Sequence, residues 1–147
     1  MSRATESDRG SAVLEFIGLG VGVLVPLAYI VLAAAGVQAA VFASTQAVRE
    51  AGRAFVSAST TAEAQARAQG AARLAFDDHG LDLPPGALTV SCPGGLCLAP
   101  GTVVTVELAW RVPVPWLPES VAGSAPGVVP VSVTHVVPVD TYRGSPM

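Results

Sequence analysis

The stretch DRGSAVLEF, Asp8 to Phe16, closes a short polar leader and opens a long apolar run, and it carries a carboxylate, Glu15, at that junction. From Phe16 to Val48 the chain has no charged residue. As a helix rising 1.5 Å per residue this run would extend about 50 Å, more than the roughly 30 Å hydrocarbon core of a bilayer. One crossing with an extension beyond it is the expectation. The most apolar part, FIGLGVGVLVPLAYIVLAAAGV (Phe16 to Val37), exceeds the roughly 7–15 residues of a secretory h-region, although Ala-rich sites after Leu32 mimic a cleavage signal. A retained anchor is preferred over a removed signal peptide or a buried soluble helix. Pro26 removes one backbone donor, and Gly18, Gly20, Gly22 and Gly36 permit close approach of a second helix or are simply tolerated in a plain anchor.

Working outward, VQAAVFASTQAVREAGRAFVSA (Val37 to Ala58) turns polar gradually, with Gln38, Gln46, Arg49, Glu50 and Arg53 entering without a Pro, so the helix is expected to continue. Thr60 followed by Glu63 is a capping box that starts a second, amphipathic helix. Ala64, Ala68, Ala71 and Ala75 with Leu74 form its expected inner face, and Gly80 is placed to end it near His79. After Pro84-Pro85-Gly86 the period changes to two. Strands are expected over Ala87 to Cys92, Thr102 to Val112 and Gly127 to Val139. In the second, Val104, Val106, Leu108, Trp110 and Val112 share a face; in the third, Val129, Val131, Val133 and Val137 do, while Pro130 and Pro138 favour an edge position. PVPWLPESVAGSAP, Pro113 to Pro126, reads as an exposed loop carrying Trp116 and Leu117. The fold class is therefore α+β: a long N-terminal transmembrane helix, a second helix and a small three-stranded antiparallel sheet. The expected divisions are 1–10 leader, 11–58 membrane helix and extension, 59–80 second helix and 81–147 β-rich region.

Composition narrows the function. At 147 residues there is room for one small domain plus an anchor. All eight basic residues are Arg, the net charge is -3, and no basic stripe suited to nucleic acid exists. Arg3 and Arg9 offset Glu6 and Asp8, so no polybasic lipid patch is present either. Arg49 and Arg53 beyond the apolar run match Arg9 before it, and charge alone leaves orientation open. No nucleophile motif, phosphate loop or dinucleotide fingerprint occurs, so no catalytic residue and no cofactor is assigned. Asp77-Asp78-His79 is the polar end of a helix rather than a catalytic cluster. Cys92 and Cys97, around Pro93-Gly94-Gly95-Leu96, suit a single local disulfide if they lie outside the cytoplasm. A zinc site of these cysteines with His79 and His135 lacks regular ligand spacing, so no metal is assigned.

A carboxylate at mid-bilayer costs roughly 2.5–3.5 kcal/mol on insertion scales and needs a reason even near the edge. Three readings of Glu15 compete. In one it lies in the first helical turn at the membrane surface, where the helix dipole favours an anion. In another it closes a capping box from Ser11, but that box needs the acid at Leu14, one residue earlier. In the last, Gly10 is a cleavage site and the new Ser11 ammonium pairs with Glu15 of its own or a neighbouring chain.

Gly10, then Ser-Ala-Val-Leu-Glu, then a long apolar run resembles the processing site of a type IV pilin precursor, cut after Gly with Glu fifth in the mature chain. SVTHVVPVDTYR, the preceding VPVPWLP and VQAAVFASTQAVREAGRA are further similar to TadE-type pseudopilins of tight-adherence (Flp) pilus systems, particularly of high-GC actinobacteria. The resemblance spans nearly the whole chain. Phe16 stands where Flp pilins usually have Tyr, a departure accepted in pseudopilins, and the 137 residues after Gly10 exceed the very short major Flp pilins, which points to a minor component. The resemblance implies prepilin cleavage between Gly10 and Ser11 and an assembly role for Glu15. The partners it implies are a prepilin peptidase, other pilin-like subunits, the assembly platform and membrane lipid. It also implies single-pass placement with the N-terminus cytoplasmic and the rest outside. The rival expectation is a membrane-anchored envelope protein, its leader uncut, with an unrelated binding or structural role.

Overall fold

The computed structural model describes residues 7–114 and 127–144, with side chains from Ala12 onward. The order is α1 (Ser7–Val56), α2 (Thr61–Asp77), β1 (Leu88–Ser91), a single 3-10 turn (Pro93–Gly95), β2 (Val103–Pro113) and β3 (Val128–Pro138). This is the expected α+β layout. The chain divides after Gly36 into two compact units.

In the first unit helical backbone continues through Pro26. From Val13 to Leu32 the Val, Leu, Ile and Phe side chains are all exposed, Phe16 by 77% and Leu14 by 75%, and Tyr29 is half-buried. Gly18, Gly20, Gly22 and Gly36 have open space where a Cβ would stand. The segment is apolar on all sides and long enough to cross a membrane.

The unit from Val37 onward holds the core. The α1 residues Ala40, Ala43, Ser44, Ala47, Val48, Ala51 and Phe55 form a buried stripe at helical spacing. Its small side chains bring the helix close to the inner sheet face, where Val104, Val106 and Leu108 are fully buried. Gly52 is the tightest point: a Cβ there would lie 2.5 Å from Val137 Cγ2, closer than carbon atoms pack.

α2 begins as the capping box requires. Glu63 N–H donates to Thr60 Oγ1 at 3.2 Å, while Glu63 Oε2 accepts from the Ser59 N–H, one residue before the cap, at 2.9 Å. It ends in a Schellman closure: Gly80, at φ +67, donates to Asp77 O, and Leu81 N–H reaches back to Phe76 O. The inner face differs from the sequence expectation. Ala64, Ala68, Ala72, Ala75 and Phe76 are buried, whereas Ala71 is half-buried and Leu74 is 63% exposed. Burial of the Phe76 ring rotates the stripe by one position, because the largest apolar side chain gains most from leaving water.

The sheet has the order β1-β2-β3, antiparallel throughout. Pro113 is the last residue of β2, so the strand runs one residue further than the sequence alone indicated. The proposed loop of Trp116 and Leu117 lies outside the described residues. Both edges are managed. Bonds from Val114 N to Gly127 O and from Val139 N to Thr102 O, in step with the β2–β3 register, make the odd-numbered residues of β3 the ones that bond to β2. Pro130 and Pro138 therefore occupy alternate positions, where an N–H would point to the free edge and its absence discourages pairing. On the other edge α2 contributes Gln69, whose Nε2 donates to Leu88 O at 3.5 Å.

Candidate functional site

The residues singled out in the sequence fall into three places. Gly10 and Ser11 lie in the helical backbone of α1, and Glu15 follows Ser11 by four residues, hence one turn along the same face. Glu15 is exposed, between exposed Leu14 and Phe16. Among the described residues no cation stands within ion-pair distance of it. Helical backbone is described from Ser7 onward, so in the uncut chain Glu15 is at least two turns inside α1. That corrects the first-turn reading, since the influence of a helix dipole fades within the first turn.

Cys92 and Cys97 stand at disulfide distance, with Cα atoms 5.1 Å apart and their sulfurs joined. The intervening turn is tight because Gly94 and Gly95 both take positive φ, +69 and +75, which residues with a Cβ adopt only at a cost. Both cysteines and Leu98 pack against the main core, so the clip ties the β1–β2 connection to it.

The histidines do not converge on the cysteines. His79 Nε2 meets Gln46 Oε1 at 3.2 Å, joining the end of α2 to α1, whereas His135 sits in β3 opposite Val106 and beside Gly52. Among the described residues no group of three or more His, Cys, Asp or Glu is arranged to hold a metal ion. Asp77 and Asp78 are likewise separated from both cysteines, on the exposed or capping end of α2.

Among the described residues the titratable group clearly displaced from its ordinary value is Glu63, held low first by the Ser59 N–H bond and then by Arg67, whose Nη2 is 2.7 Å away. These contacts hold the α1–α2 corner.

Two positioning contacts escaped sequence reasoning. Ser44, buried among the alanines of α1, accepts a hydrogen bond from Trp110 Nε1 at 2.9 Å. Its place on the Ala40–Ala47–Ala51 stripe was the available signal, since a hydroxyl there must find a partner. Arg143, beyond β3, donates from Nη1 and Nη2 to the carbonyls of Val56 and Ala58, closing the C-terminal end of α1. Nothing local in the sequence announces that contact, because 87 residues separate Arg143 from Val56.

No family model, curated protein or solved structure matches this chain.

Proposed function

We propose that this chain is a TadE-like pseudopilin, a minor subunit that takes part in assembling a tight-adherence type IV pilus. The observation that carries the reading is the segment Val13 to Leu32, whose Val, Leu, Ile and Phe side chains are all exposed, joined to a Gly10-x4-Glu15 signature at its start. Such a segment needs lipid or other apolar helices around it. An α+β unit built on the C-terminal part of the same helix is the layout expected of a pilin-like subunit.

In this reading the segment crosses the cell membrane once, the leader faces the cytoplasm and the unit from Val37 onward faces outward. A prepilin peptidase hydrolyses the Gly10–Ser11 bond with water, leaving a carboxylate on Gly10 and an ammonium on Ser11. Glu15 then lies one turn from a helix N-terminus, its own or a neighbour's, where an opposite charge offsets the cost of holding a carboxylate at the lipid boundary. Other pilin-like subunits and the assembly platform are the partners, and the role is structural, not catalytic.

Intact mass and N-terminal sequencing of protein from cells with an active prepilin peptidase test the reading. A mature chain beginning at Ser11 is expected; one still beginning at Met1 or Ser2 overturns it.

A further inference from the structure

We propose that the free edge of β3 pairs antiparallel with β3 of a second copy of this chain, in one register centred on Thr134. β3 is the last strand of the sheet, and its odd-numbered residues bond to β2. Its even-numbered residues therefore turn their backbone groups to the open edge. Within PVSVTHVVP, Pro130 to Pro138, three of them, Ser132, Thr134 and Val136, carry an N–H and a carbonyl there, while Pro130 and Pro138 carry only a carbonyl. The prolines close both ends of the edge and leave a short window between them.

The window is symmetric about Thr134, and that symmetry specifies both partner and register. In an antiparallel pair about a two-fold axis at Thr134, Ser132 meets Val136 of the copy and Thr134 meets itself. Every free N–H in the window then faces a carbonyl, and Pro130 lies opposite Pro138 of the copy. The two strands can part at both ends without leaving an N–H unpaired. A shift of two residues in either direction sets a proline ring against the ladder, so the prolines reject other registers.

Side chains agree with a like partner. From Gly127 to Val139 there is no Asp, Glu, Lys or Arg, although edge strands commonly use charge to prevent such pairing, so two copies of this edge do not repel. Val136 is 54% exposed. On the inner face Val133, His135 and Val137 are only half-buried, so α1 leaves the edge partly uncovered. The proposed register sets Val133 against His135 of the copy and Val131 against Val137, which extends the apolar inner face across the axis.

The pairing rests on the sheet and not on the pilin reading. Val131 clusters with Ala40, Val137 stands beside Gly52 and Arg143 bonds to Val56, so β3 and the part of α1 packed on it run in the same direction. An antiparallel β3 pair therefore sets these two α1 segments antiparallel. If the chains are membrane-anchored, the partners come from facing surfaces.

The test uses the full chain in non-ionic detergent micelles, with the Cys92–Cys97 bond intact and new cysteines oxidised by copper phenanthroline. Thr134→Cys should form a disulfide-linked dimer, because opposite residues of a hydrogen-bonded pair have Cα atoms about 5.5 Å apart, within disulfide reach. Ser132→Cys mixed with Val136→Cys should cross-link, whereas Ser132→Cys alone, roughly 13 Å out of step with its own copy, should not. Thr89→Cys, exposed on β1, reports random collision and should stay monomeric. Thr134→Pro removes the central donor without touching the β2 ladder, and Thr134→Arg sets like charges opposite each other. Each should lower the dimer fraction seen by native mass spectrometry at least tenfold while circular dichroism keeps the wild-type signature. A monomeric Thr134→Cys chain overturns the proposal, as does equal cross-linking at Ser132→Cys alone or Thr89→Cys, or an undiminished dimer in Thr134→Arg. Oxidation of Thr134→Cys before extraction that yields only an adduct with a different chain gives the edge to another partner and overturns it too.

Discussion

Trp110 Nε1 donates to Ser44 Oγ across 2.9 Å, and Ser44 Oγ donates in turn to Ala40 O at 2.7 Å. The Trp110 ring also meets Phe76 edge to face, with centroids 5.3 Å apart at 61°. One side chain on β2 therefore touches α1 through a hydrogen bond and α2 through an aromatic contact. The bond fixes where along α1 the sheet docks, which apolar packing against a stripe of alanines does not specify by itself.

Ser44→Ala should destabilise the folded chain by about 1–3 kcal/mol, because the half-buried indole N–H loses its acceptor. Adding Trp110→Phe removes the orphaned donor, so the double variant should lose less than the sum of the two single ones. Urea unfolding in detergent micelles, followed by circular dichroism, measures all three. Additive losses would show that the bond is incidental.

Gly52→Ala should also destabilise, although Ala is the better helix former by up to about 1 kcal/mol. The new methyl would stand 2.5 Å from Val137 Cγ2, and prising α1 from β3 should cost about 1–3 kcal/mol. Val137→Ala in the same chain makes room, so the damage from Gly52→Ala should shrink in that background. A Gly52→Ala chain as stable as wild type would mean that the helix and sheet shift apart freely.

The α1–α2 corner should weaken in acid. Glu63 is held below its ordinary value by the Ser59 N–H and by Arg67, so its contribution is fully present above the unfolded carboxyl value of about 4.3 and is lost as pH falls through the lower folded value. Glu63→Gln cannot take the charge, so wild type should melt above Glu63→Gln at pH 7, with the gap closing toward pH 3. Thermal unfolding of both proteins across that range checks it. A gap of the same size at pH 3 would assign the effect to shape and not to charge.

Glu15→Gln should leave insertion and folding intact, because Glu15 is exposed. Under the pilin reading it should nevertheless fail to co-purify with other pilin-like subunits, since it keeps the shape but removes the partner of the Ser11 ammonium. Glu15→Leu, which removes a charge from the lipid boundary, should insert at least as well and fail in the same way. The comparison requires wild-type membrane levels and confirmed cleavage; cleaved Glu15→Gln chains that assemble normally would remove the carboxylate from the mechanism.

By itself the sequence determined the elements, because each was written in local chemistry. An uncharged run fixed the long helix, Thr60 and Glu63 fixed the start of α2, Gly80 fixed its end, and strict alternation fixed β2 and β3. Pro130 and Pro138 even marked β3 as an edge, since a residue without an N–H is tolerated where no neighbour needs one. Tertiary structure alone decided which of several apolar stripes on α2 turned inward, because Ala71 and Ala72 are equivalent until Phe76 finds its place beside Trp110. It alone made Ser44 an acceptor for Trp110, brought Arg143 back to the end of α1, and gave Gly52 its role against Val137. Those contacts join residues far apart along the chain, and a hydrogen bond or a close approach at such separation exists only once the helix and sheet have packed.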